Sequence, residues 1–153
     1  MKNPKLLIIG WREWLDLPDL GIQEIKAKID TGARSSALHA FHIEPFKQEG
    51  KDMVHFSVHP CQRDSHYTVA TKAELIEWRQ VRSSGGHAQV RPVIVTMVEL
   101  GGQSWPIELT LTNRDVMGFR MLLGREAVRK RFLVNPDQSF LLSPLKIARL
   151  KEK

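Results

Sequence analysis

Asp30-Thr31-Gly32 is the first group of residues in this sequence able to do chemistry. A carboxylate followed by a hydroxyl residue and glycine suits a tight, rigid turn. Gly32 lets backbone approach the carboxylate closely, and the Thr31 hydroxyl can bond backbone across the site. An aspartic peptidase needs such rigidity because two carboxylates share one proton and one attacking water. At that separation both cannot ionise, so one serves as base and the other as acid. By itself the triplet is an ordinary turn. Its setting matters more: Ile25, Ala27 and Ile29 alternate with Lys26 and Lys28, the period of a half-buried strand ending at Asp30.

Two other chemistries compete. His39, His42, His55, His59, Cys61, His66 and His87 invite a metal, and His59, Cys61 and His66 could form a three-ligand loop for catalytic zinc. No His-Glu-x-x-His helix is present to put two ligands and a base on one face. No metal and no cofactor is therefore expected. Cys61 has only His59 and His66 nearby in sequence, and is read as a structural or surface thiol. Gly85-Gly86 and Gly101-Gly102 do not cradle phosphate, because neither opens a helix bearing a lysine.

The elements that must position Asp30 are short and mostly extended. Leu6 to Trp14 reads as a strand, with Leu17 to Gly21 as the turn behind it. Ser36 to Ile43 alternates, with Leu38 and Ala40 on one face and His39 and Phe41 on the other. Met53 to His59 and Tyr67 to Ala73 form a predicted hairpin, and 82–89 a polar loop. Val93 to Leu100 and Trp105 to Thr112 flank Gly101-Gly102, the clearest hairpin signal in the chain. Met121-Leu122-Leu123 is a buried strand ending at Gly124, followed by a predicted helix of about two turns, Arg125 to Arg131. Phe132 to Val134 and Phe140 to Leu142 are expected to close the chain as a hairpin. The class is all-β, a closed or nearly closed barrel.

Two stretches, taken together, resemble a known family. They are Ala27 to Ala40, containing Asp30-Thr31-Gly32-Ala33-Arg34, and Met121 to Arg125, with Leu109 to Arg114 in support. Their order resembles retropepsins, in which the Asp-Thr-Gly turn precedes an apolar-apolar-Gly run entering a short helix. More narrowly, they resemble the bacterial retropepsin-like proteins known as ATP-dependent zinc proteases, associated with RimK-type ATP-grasp glutamate ligases. The resemblance runs from about Gly10 to Leu142. It implies an acid-protease barrel over residues 1–153, with a core at about 6–142 and a basic tail at 143–153. It also implies that Asp30, Thr31 and Gly32 are catalytic. The loop Ser83-Ser84-Gly85-Gly86 falls where retropepsins carry a mobile flap, and Gln48 to Arg79 looks like an insertion.

Only one Asp-Thr-Gly occurs, so the paired-carboxylate mechanism requires a homodimer with a second Asp30 across a two-fold axis. The ligase association implies a glutamate-rich peptide substrate and a ligase as possible partner. Ala33 and Arg34 beside the turn, Arg82 and Arg91 beside the flap, and Arg114 are the expected substrate contacts, since arginine binds carboxylates in a bidentate fork. The 153 residues hold 23 Lys and Arg against 17 Asp and Glu, a formal charge of +6 that favours acidic partners. Nucleic acid is not the expected one, because Trp11, Trp14, Trp78 and Trp105 are not interleaved with basic residues along one strand. The apolar run Leu6 to Ile9 is too short for a secretion signal or a membrane span. One cysteine fits a reducing compartment, so a cytoplasmic protein is expected. A non-catalytic regulatory module of a glutamate ligase and a zinc-dependent peptidase remain the alternatives.

Overall fold

A computed structural model describes residues 5–61, 67–82, 85–114 and 118–143. The chain is built from twelve strands and one short helix. They are β1 (Leu7–Gly10), β2 (Arg12–Leu17), β3 (Ile22–Asp30), β4 (Ser36–His39), β5 (Phe41–Gln48), β6 (Lys51–Val58), β7 (Val69–Glu74) and β8 (Glu77–Arg82). β9 (Ala88–Leu100), β10 (Gln103–Thr112), β11 (Met121–Gly124), α1 (Arg125–Val128) and β12 (Phe132–Asn135) complete it.

Six strands close a ring in the order β10-β4-β11-β3-β2-β9, because β9 pairs with both β2 and β10. Ring closure leaves no edge within it. β8 extends the sheet from β9, and β5, β6 and β7 form a separate three-stranded sheet. Strand alternation sends Ile25, Ala27, Ile29, Leu38, Leu109, Leu111, Met121 and Leu123 into one core. Val54, Phe56 and Val58 of β6 enter the same core, so the three-stranded sheet packs on the barrel. Gly101 and Gly102, at φ +59° and +81°, make the β9–β10 turn, as the paired glycines predict.

Several boundaries differ from the sequence reading. The first strand breaks at Trp11: β1 pairs in parallel with β12, whereas β2 pairs with β3. The turn after Leu17 is a 3-10 turn, Pro18–Leu20, released by Gly21 at φ +71°. The predicted two-turn helix is only Arg125–Val128, because Arg129 is already extended and Lys130 sits at φ +68°. The chain must turn there to lay β12 beside β1. The ends of the predicted loop 82–89 are strand, since β8 and β9 pair as far as Arg82 with Ala88. Ser83 and Ser84 lie outside the described residues, as do residues 62–66 and nearly all of the basic tail.

The closing hairpin is replaced by a different device. Residues 140–143 form no strand; Phe140 N donates to Arg12 O at 3.0 Å, and the N–H groups of 141–143 are held by Glu13, a fully buried carboxylate on β2. Glu13 Oε2 accepts from Gly10 N and Leu141 N, each at 2.7 Å. Its Oε1 accepts from Leu142 N at 3.2 Å, from Ser143 N at 3.1 Å and from the Ser143 hydroxyl. The side chain thus does for this segment what a neighbouring strand would otherwise do.

Candidate active site

β3 and β11 run parallel and end together, with Asp30 paired to Gly124. Beyond that pair β3 turns sharply. Asp30 Oδ1 accepts from Gly32 N at 3.0 Å and Ala33 N at 3.2 Å, so the carboxylate is fixed by its own turn. Asp30 is half-buried, whereas Thr31, Gly32 and Arg34 are exposed. The predicted catalytic triplet therefore sits at the barrel surface with its carboxylate oriented.

The run after β11 braces this turn from outside. Arg125 N donates to Ala33 O at 2.7 Å and Glu126 N to Arg34 O at 3.1 Å. The Arg125 guanidinium reaches Thr31 O at 3.1 Å, and Gly124 N donates to the buried Ser36 hydroxyl at 3.0 Å. Four contacts from three consecutive residues thus tie down the turn and the strand that follows it. Ser36 and Arg125 were not singled out in the sequence; their signal was only membership of the two motifs.

Glycine is required at position 124 for space. A Cβ there would lie 2.5 Å from Ser35 O and 3.0 Å from Ala33 O, both backbone atoms. Gly124→Ala is expected to push the turn away and destabilise the protein by about 1–3 kcal/mol, as overpacking does. Urea unfolding checks this, and an unchanged midpoint would show that the turn is not so tightly braced.

The four predicted arginines part company. Arg34 is exposed in the turn itself. Arg82 is exposed at the end of β8, with Nη1 3.4 Å from Gly86 O. Arg114 is exposed after β10, its N–H on the Thr112 hydroxyl at 3.2 Å. Arg91 is buried on β9, with Nε on Gln89 Oε1 at 2.9 Å and Nη1 on Thr110 Oγ1 at 3.4 Å. Burial first, and the Arg114 charge second, hold the Arg91 guanidinium below its ordinary pKa. Arg114 thus acts on Arg91, while Arg34 and Arg82 stand on separate elements. Ala33 is half-buried and packs on Ala37 and Leu122.

Of the candidate zinc ligands, His59 and Cys61 are described. His59 Nδ1 lies 3.2 Å from Tyr67 O and 3.1 Å from Thr68 Oγ1, and its ring stacks on Phe41. His66 lies outside the described residues. Among the described residues, no three His, Cys, Asp or Glu side chains stand close enough to hold a metal. Of the tryptophans, Trp14 and Trp105 are buried, and Trp78 is exposed on β8.

Comparison with known proteins agrees with this geometry. The pattern of the RimB-like family, described as retropepsin-like aspartic endopeptidase RimB, matches residues 8–144. The chain belongs to the RimB-like family. A crystal structure of a Legionella pneumophila protein of unknown function superposes with a TM-score of 0.75 at 28% identity, covering 90% of this chain and 99% of that one. A probable alpha-L-glutamate ligase of Shewanella pealeana is 47% identical over 135 residues, 88% of this chain. One from Parasynechococcus marenigrum is 48% identical over 140 residues, 92% of this chain. The chain spans only about 30% of the length of either ligase relative. RimB-like membership accounts for the barrel and for the pairing of an Asp-Thr-Gly turn with a Leu-Leu-Gly strand. No helix among the described residues is long and apolar enough to cross a membrane.

Proposed function

We propose that the chain is an aspartic peptidase subunit that cleaves peptide bonds in glutamate-rich tails, with Asp30 working opposite Asp30 of a second copy. The observation that carries this reading is the fixed, outward-facing turn at the joined ends of β3 and β11, braced by Gly124 to Glu126. In such a pair one carboxylate takes a proton from water, whose oxygen attacks the scissile carbonyl. The other, protonated, carboxyl donates its proton to the carbonyl oxygen. Collapse of the tetrahedral intermediate breaks the C–N bond as the nitrogen takes a proton, leaving an acid and an amine.

Dimerisation follows from the mechanism, since one chain supplies one such carboxylate. Leu7, Ile8 and Leu133 are exposed on the β1–β12 ribbon and offer apolar surface for it. Activity is expected to rise with the square of subunit concentration below the dimer dissociation constant. A strict monomer with full peptidase activity would sink the paired mechanism.

The ligase names of the relatives and the basic charge together favour an acidic substrate, and the single cysteine favours the cytoplasm. Incubation of oligo-α-glutamate with wild type and Asp30→Ala, followed by mass spectrometry, tests the activity. Affinity for that peptide is expected to fall at least about tenfold between 0.05 and 0.5 M NaCl, as charge screening shortens to a few ångströms. A salt-insensitive interaction would count against an acidic substrate. The same relatives favour a second reading, a non-catalytic module acting on a glutamate ligase. In that case Asp30→Asn would leave the cellular phenotype unchanged.

A further inference from the structure

Residues paired directly across a sheet point to one face. Val93, Thr110, Ala37, Leu122 and Lys28 form such a row over five strands. This face is opposite to that of Leu38, Leu111 and Leu123 in the core. Ala37 and Leu122 make a small apolar cluster of their own, joined by Ala33 from the Asp30 turn. Arg91, two residues from Val93 on β9, shares this face and is only 9% exposed.

Hydrogen bonds and strand pairing link Arg91 to the turn through Thr110, Ser36 and Gly124. Arg91 Nη1 meets the Thr110 hydroxyl, which donates to Ser36 O at 3.2 Å. The Ser36 hydroxyl accepts from Gly124 N, and Gly124 is paired with Asp30. Arg79, directly opposite Arg91 in register, engages Glu77 and Glu108. Arg91 has no acidic partner among the described residues. Its two hydrogen-bonding partners, Gln89 and Thr110, are neutral, and the charge acting on it is Arg114, of like sign. A buried cation without a counter-ion is costly. Neither of its hydrogen bonds uses Nη2, so half of a carboxylate-matching fork is uncommitted.

We propose that Arg91 receives a side-chain carboxylate of the bound peptide, on a residue flanking the scissile bond, with Ala33, Ala37 and Leu122 packing the methylenes of that side chain. The proposal rests on the peptidase reading and adds where an acidic side chain is read. The missing counter-ion arrives with the substrate, so neutralisation occurs only in the complex. Glutamine has the same shape but leaves the buried cation unpaired, which typically costs about 30-fold or more. Arg34, Arg82 and Arg114, being exposed, supply attraction without selecting a position.

The test is a scan of an oligo-α-glutamate peptide with glutamine at each position in turn, cleaved by wild type, Arg91→Gln and Arg91→Lys. One position is expected to lose at least about 30-fold in kcat/KM with wild type. Arg91→Gln is expected to abolish that one preference while the other positions keep theirs. A flat scan with wild type, or a preference unchanged in Arg91→Gln, overturns the proposal. If Arg91→Gln does not fold, as judged by circular dichroism, the wild-type scan and Arg91→Lys decide. Lysine keeps the preferred position at reduced rate, and an identical rate profile would exclude Arg91. If wild type cleaves nothing, the peptidase reading fails, and calorimetry on Asp30→Asn and Asp30→Asn/Arg91→Gln tests the site alone. Equal oligo-glutamate affinity there overturns it, whereas a loss of about 30-fold sustains it.

Discussion

Asp30→Asn is expected to lower cleavage of oligo-α-glutamate by about 10³-fold or more, within the range that general acid–base groups contribute. The fold should survive. Asn retains an oxygen able to accept from Gly32 N and Ala33 N, and Asp30 lies outside the barrel core. A melting temperature within a few degrees of wild type, with activity gone, would assign the loss to chemistry. Subunit mixing sharpens the result. If each active site needs two Asp30 carboxylates, adding an excess of Asp30→Asn to wild type should extinguish activity through mixed dimers. Activity that falls only in proportion to dilution would mean each chain works alone.

The second large effect is on stability. Glu13→Ala would strip the acceptor from Gly10 N, Leu141 N, Leu142 N and Ser143 N, all around a fully buried side chain. Each orphaned donor costs roughly 1–3 kcal/mol. Even the low end sums to about 4 kcal/mol, a large part of the stability of an ordinary domain. Glu13→Gln should also be costly, since its partners all donate and the carboxamide must turn an NH₂ toward some of them. Chemical denaturation checks both variants. A loss below about 1 kcal/mol for Glu13→Ala would show that water replaces the carboxylate freely.

Glu13 also marks the boundary of what the sequence displayed. Strand β3 was legible because one face is buried and the other solvated, so Ile25, Ala27 and Ile29 alternate visibly. The β9–β10 hairpin was legible because two adjacent glycines satisfy a turn that demands positive φ. Strand β8 was not, since its residues are exposed or half-buried on both faces and leave no period to read. Leu141 and Leu142 suggested a strand, but their backbone partner is a side chain more than a hundred residues away. Nothing in local composition encodes that contact. The Asp30 turn and Met121 to Gly124 were legible separately. That Gly124 must be glycine for clearance from Ser35 O became visible only in three dimensions.

The bracing of the Asp30 turn has a consequence for biosynthesis. The guanidinium that holds Thr31 O belongs to a residue 94 positions later, and β1 finds its partner only in β12. Such distant pairings make folding slow, because long loops must close before their contacts are rewarded. A nascent chain that has not yet delivered Arg125 and Glu126 lacks every outer tie on the turn. The local bonds from Gly32 N and Ala33 N can orient the Asp30 carboxylate early, but the turn that carries it is braced only once the chain has passed Glu126.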